Sequence, residues 1–118
     1  MARRQQWIIW VLVLVWVWGM SPGIAVSDEA AMAGKEVYEK RCQSCHGADG
    51  TGNPKMAKVL KVSIPPVTGA ALVQQDDTEM LRIIAEGEGK MPGYAQKLSQ
   101  EEQRQVLEYM KTLGKRKQ

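Results

Sequence analysis

The stretch "KRCQSCHGADG", Lys40 to Gly50, gathers both cysteines and the only histidine of the 118-residue chain between Cys42 and His46. Two thiols with two residues between them, followed at once by an imidazole, admit few chemistries. A disulfide between Cys42 and Cys45 would suit an oxidising compartment. A redox-active pair of the thioredoxin kind follows a strand, however, and no strand pattern precedes this one. Structural zinc takes four ligands, and the chain holds no second histidine and no third cysteine. The spacing C-x-x-C-H is the attachment signature of a c-type haem. Two thiols one helical turn apart can add across the two vinyl groups of the porphyrin. The adjacent imidazole of His46 then meets the iron from the same side of the ring.

Iron held by His46 has a second axial position, and methionine is a common partner because its thioether favours the ferrous state. After residue 27 the candidates are Met32, Met56, Met80, Met91 and Met110. Met32, Met80 and Met110 recur with apolar neighbours at helical spacing, which reads as packing. Met56 follows His46 too closely for an easy wrap around the ring edge. Met91 lies in "GEGKMPGY", where glycines let the backbone approach a flat ligand and Pro92 fixes the chain after the sulfur. Met91 is the expected axial ligand.

The elements that must position these groups begin after an unusual start. Arg3 and Arg4 precede an apolar run from Trp7 to Trp18, then "GMSPGIAVS". This pattern reads as a secretory signal peptide over residues 1–27, with cleavage expected before Val26 or Asp28. The run falls short of the roughly 20 apolar residues that span a bilayer, and a retained N-terminal anchor is the alternative. Both place the remaining domain, residues 28–118, outside the cytoplasm, and export makes it periplasmic.

All four tryptophans lie in the leader and the chain has no phenylalanine, so the domain's aromatics are Tyr38, Tyr94 and Tyr109. A domain this small usually needs a staple, and a cofactor would supply the missing bulk. Without Arg3 and Arg4, the 16 basic and 13 acidic residues nearly balance, which argues against nucleic acid as a partner. Helical spacing runs through "AAMAGKEVYEKRC", and a short helix fits "KMAKVLKV". Pro65 and Pro66 break the next stretch. Asp76 with Glu79 and Ser99 with Glu102 make capping-box starts for two further helices, ended by Gly87 and Gly114. No strand-like alternation appears. The expected class is all-α, about four helices joined by loops.

"CQSCHGADGTGNP", "IPPVTG" and "GEGKMPGY", in that order between two amphipathic helices, resemble a class I c-type cytochrome, a small single-haem cytochrome c. The likeness covers residues 30–114. It implies the cytochrome c fold wrapped around one covalently bound haem c, with the first and last helices crossing. It also implies that Gly34 and Tyr38 on the first helix meet Tyr109 on the last. A proline carbonyl, Pro65 or alternatively Pro66, would accept the hydrogen of His46 Nδ1 and orient the ring. The family commonly carries a large aromatic near the haem. Here only Tyr94 is available, so an aliphatic pocket is expected from Val59, Leu60, Val67, Leu72, Ile83, Ile84 and Leu98.

Two filled axial positions leave iron no open site. The expected function is one-electron transfer between redox protein partners, by a monomer that is not an enzyme. Lys55, Lys58, Lys61, Lys90 and Lys97 would form a rim facing acidic partners. Two other functions stand beside it. A five-coordinate haem with Met91 unbound would serve as gas sensor or peroxidase, and a tethered domain would serve as the cytochrome subunit of a larger membrane oxidoreductase.

Overall fold

The computed structural model describes residues 26–115, and most of the expected leader, residues 1–25, lies outside them. Six helices and one small ladder follow in order: α1 Val26–Arg41, α2 Gln43–His46, α3 Pro54–Leu60, α4 Gly69–Leu72, α5 Asp77–Glu86, β1 Gly87–Glu88, β2 Met91–Pro92 and α6 Gln100–Met110. A cut before Asp28 would fall within α1. Among the described residues no helix is long and apolar enough to cross a membrane.

The core is built where α1 crosses α6. Gly34 makes the crossing close: a Cβ on it would collide with the Gln105 carbonyl of α6. One turn further along α1, the Tyr38 ring lies 5.4 Å from that of Tyr109, tilted by 54°. Such a pair adds about 0.5–1.5 kcal/mol beyond the area it buries. Tyr38 and Val106 are wholly buried, with Leu107, Met110 and Leu113 continuing the apolar face of α6. Met32 departs from its expected packing role and is 72% exposed, on the α1 face turned away from α6.

Local signals set the remaining helix ends. Ser99 and Glu102 form the full reciprocal capping box, with Ser99 Oγ accepting from Glu102 N–H at 3.1 Å and Glu102 Oε2 accepting from Ser99 N–H at 2.7 Å. Asp76 forms only half of one. Its carboxylate accepts from the N–H groups of Thr78 and Glu79, while the Glu79 side chain turns instead to Arg82 at 2.6 and 2.8 Å. Asn53 caps α3 through the N–H groups of Lys55 and Met56. The very short α4 has no counterpart in the sequence expectation. It forms where Thr68 caps Ala71 and Gly69 lies against Lys111 at the end of α6.

The segment expected to be a loop around Met91 is an antiparallel pair, Gly87 opposite Pro92 and Glu88 opposite Met91. Alternation cannot reveal strands of two residues. Gly87 (φ +81°) ends α5 and Gly89 (φ +57°) makes the turn, both in backbone conformations that favour glycine.

Candidate functional site

Helix α1 delivers Cys42 directly. The Cys42 N–H donates to the Tyr38 carbonyl, and the Cys42 carbonyl accepts from Cys45 at 3.2 Å and His46 at 2.9 Å. Cys42, Cys45 and His46 therefore share one turn. Gly47 stops that turn, and the chain folds back on it through Gly52 N–H to His46 carbonyl at 2.7 Å and Asn53 N–H to Cys45 carbonyl at 2.8 Å. The Asn53 side chain adds a bond to the Ser44 carbonyl at 2.9 Å. From the core side, the Tyr38 hydroxyl donates to the Gly47 carbonyl at 2.6 Å.

This turn forms part of the wall of a cavity of about 710 Å³, within the range typical of ligand sites. Cys42, Cys45, His46, Pro65 and Met91, all expected at the site, line it together. Of the expected aliphatic wall, Leu60, Val67, Leu72, Ile83 and Ile84 are present. Val59 is not; it is 72% exposed on the far side of α3, because the helix turns Leu60 inward instead. Leu98 is buried, but its side chain lies outside the lining.

Met80, Leu107 and Met110 also line the cavity, beside Val62 and Ile64. Their helical spacing correctly signals an inward face. Periodicity says nothing about whether that face meets another side chain or a ligand. Met56 is half-buried and does not reach the cavity. Tyr94 does, and its hydroxyl donates to the Arg41 carbonyl at 2.9 Å.

Burial shifts the two groups of this turn in opposite directions, each towards its neutral form. Burial pushes the Cys42 thiol up to about 11, with a smaller contribution from neighbouring Cys45. Burial likewise lowers the pKa of His46, opposed by the Pro65 carbonyl beside the ring. The imidazole is thus neutral at neutral pH, the form that ligates metal. His46 Nδ1 is buried and meets no acceptor at full hydrogen-bond geometry. The Pro65 carbonyl faces the ring without closing that bond.

The donor set fits a haem: two unpaired thiols and a neutral imidazole on one turn, a thioether on β2, and an apolar wall between them. It does not fit zinc. Among the described residues no group of three or more His, Cys, Asp or Glu side chains could hold a metal ion by itself.

Residues 29–110 match the family described as cytochrome c oxidase, cbb3-type, subunit III. The chain is 33% identical over 87 residues to the cbb3-type cytochrome c oxidase subunit CcoP of Azospirillum brasilense, covering 72% of this chain and 29% of that protein. It is 28% identical over 101 residues to the cytochrome c subunit of the quinone-type alcohol dehydrogenase of Gluconacetobacter polyoxogenes, covering 75% and 20%. The corresponding subunit from Gluconobacter oxydans is 33% identical over 91 residues, covering 67% and 18%. The chain thus spans less than a third of each of these relatives. Cytochrome c6 from the diatom Phaeodactylum tricornutum superposes with a TM-score of 0.52 at 24% identity, over 69% of this chain and 90% of the diatom chain. That likeness supports the fold alone.

Proposed function

The chain belongs to the cbb3-type cytochrome c oxidase subunit III family and is a small class I c-type cytochrome; from that premise we propose that it is a single-haem, one-electron carrier working between redox proteins in the periplasm. The family carries a covalently bound haem c with iron, and its domain serves electron transfer. One observation carries the proposal: Cys42, Cys45, His46 and Met91 line a single apolar cavity. The haem, when bound, supplies an iron that takes up and gives back one electron.

Each residue has a definite part. The Cys42 and Cys45 thiols would attach the haem, each adding its sulfur to one carbon and its hydrogen to the other carbon of a vinyl group. His46 would hold the iron through Nε2, and closing the Nδ1–H bond to the nearby Pro65 carbonyl would fix the ring and strengthen it as a donor. The Met91 thioether would be the second protein ligand and would raise the potential. With that position filled the domain does no bond chemistry and is not an enzyme. The leader, residues 1–27, is removed on export, leaving 28–118 as a monomeric domain.

Lys55, Lys58, Lys61, Lys90 and Lys97 are all exposed, and none forms an ion pair with another described residue. They steer acidic faces of the donor and acceptor towards the cavity mouth, where Lys90 lies. The relatives favour a second reading, in which this domain serves as a cytochrome subunit held to a larger membrane oxidoreductase. Cell fractionation with N-terminal sequencing decides between them. A soluble periplasmic protein starting near Val26 or Asp28 supports the free carrier, and an intact leader in the membrane fraction supports the subunit.

A further inference from the structure

The hydroxyl of Tyr94 and the carbonyl of Arg41 are 2.9 Å apart and 53 positions apart in sequence. Arg41 is the last residue of α1, where carbonyls run out of intrahelical donors, and it leads directly into Cys42. Tyr94 follows Pro92 by two positions, at the exit of the β1–β2 turn. Its own N–H donates to the Ile84 carbonyl at 2.9 Å, and the next N–H, of Ala95, donates to the Ala85 carbonyl at 3.0 Å. Gly93 sits so close to the end of α5 that a Cβ there would lie 2.6 Å from the Ala85 carbonyl.

The segment carrying Met91 is therefore fastened twice. Its backbone is bonded to α5, and the Tyr94 phenol reaches across to the residue preceding the Cys42–His46 turn. The Tyr94 ring lines the same cavity as Cys42, His46 and Met91, and the Lys97 ammonium stands 5.9 Å from its centre. A phenylalanine would fill the same space. What the hydroxyl alone adds is a bond between the two parts of the wall that carry the axial donors.

We propose that Tyr94 is a positioning residue for the axial thioether: through Arg41 it ties the Met91 segment to the haem-attaching turn and opposes departure of the sulfur from iron. The inference rests on Met91 being the axial ligand. It concerns the strength of ligation and leaves the identity of the ligand unchanged.

The experiment uses the ferric holoprotein and free imidazole, which binds only when the sixth ligand leaves. Tyr94→Phe should keep the weak long-wavelength band that ferric haem shows when a thioether is bound. It should bind imidazole about fivefold more tightly, as expected from one lost hydrogen bond. Ser99→Ala, which opens the capping box of α6 away from the cavity, lowers overall stability and should leave imidazole affinity at the wild-type value. Wild-type affinity in Tyr94→Phe overturns the proposal, and so does an equal rise in Ser99→Ala, which would make the effect one of general loosening. Met91→Ala separates the two levels. If the band survives in that variant, the axial assignment itself fails. If it disappears there while Tyr94→Phe behaves as wild type, only the role of Tyr94 fails.

Discussion

The Tyr38 hydroxyl donates to the Gly47 carbonyl at 2.6 Å, while the Tyr38 ring packs 5.4 Å from that of Tyr109. One side chain thus joins the α1–α6 crossing to the residue that ends the Cys42–His46 turn. Tyr38→Phe keeps the ring contact and leaves the Gly47 carbonyl with only its longer bond from the Gly50 N–H at 3.3 Å. The expected loss is about 1–2 kcal/mol in guanidinium unfolding of the holoprotein, with little change in the visible spectrum.

The same residue predicts alkaline behaviour. Burial raises the Tyr38 pKa well above its usual 10.0. The folded state therefore holds the phenolic proton at pH values where the unfolded chain has lost it. This contribution is fully present below about pH 10 and fades as pH rises towards the folded pKa. Unfolding midpoints of the ferrous protein should fall between about pH 9 and about pH 12, and fall less steeply in Tyr38→Phe. Equal slopes would show that Tyr38 does not titrate with unfolding.

Gly34 offers a test in which propensity and packing oppose each other. Alanine is favoured over glycine in a helix interior by about 1 kcal/mol. At Gly34 its Cβ would meet the Gln105 carbonyl, which is backbone and cannot rotate aside. Overpacking of this kind costs about 1–3 kcal/mol, so Gly34→Ala should be net destabilising in chemical denaturation. A gain in stability would mean that the helices cross less closely than described.

How much of this was legible in the sequence depended on whether the signal was local. The C-x-x-C-H turn, the Ser99 cap and the glycine of the α1–α6 crossing each announce themselves within a few residues or through the family likeness. Met80 and Met110 did not, because a helical stripe facing a ligand looks like one facing a core. Val59 and Leu60 are neighbours on α3, and only the set of the helix against the rest decides which faces inward. The Tyr94–Arg41 bond spans 53 positions, beyond any local pattern. The β1–β2 pair is too short to alternate.

The core and the cavity share side chains: Leu72, Ile84, Leu107 and Met110 belong to both. Apolar surface facing the haem is core surface only while the haem is there. Protein made without haem attachment, or as Cys42→Ser with Cys45→Ser, should show reduced helical circular dichroism and a broad thermal transition. A sharp transition with full helicity would show that the polypeptide folds on its own.

Met91→Ala probes the sixth position directly. The wild-type ferrous protein should be low-spin and slow to take carbon monoxide. The variant should be high-spin and bind it readily, with the ferric thioether band gone. An unchanged spectrum would remove Met91 from the site and direct attention to Met80 or Met110, which line the same cavity.

The most direct measurement is the intact mass and visible spectrum of protein purified from cells able to mature c-type cytochromes. A mass equal to the polypeptide plus one haem, retained after denaturation and lost in Cys42→Ser with Cys45→Ser, is the predicted result. A colourless protein of bare polypeptide mass that still folds cooperatively would contradict it.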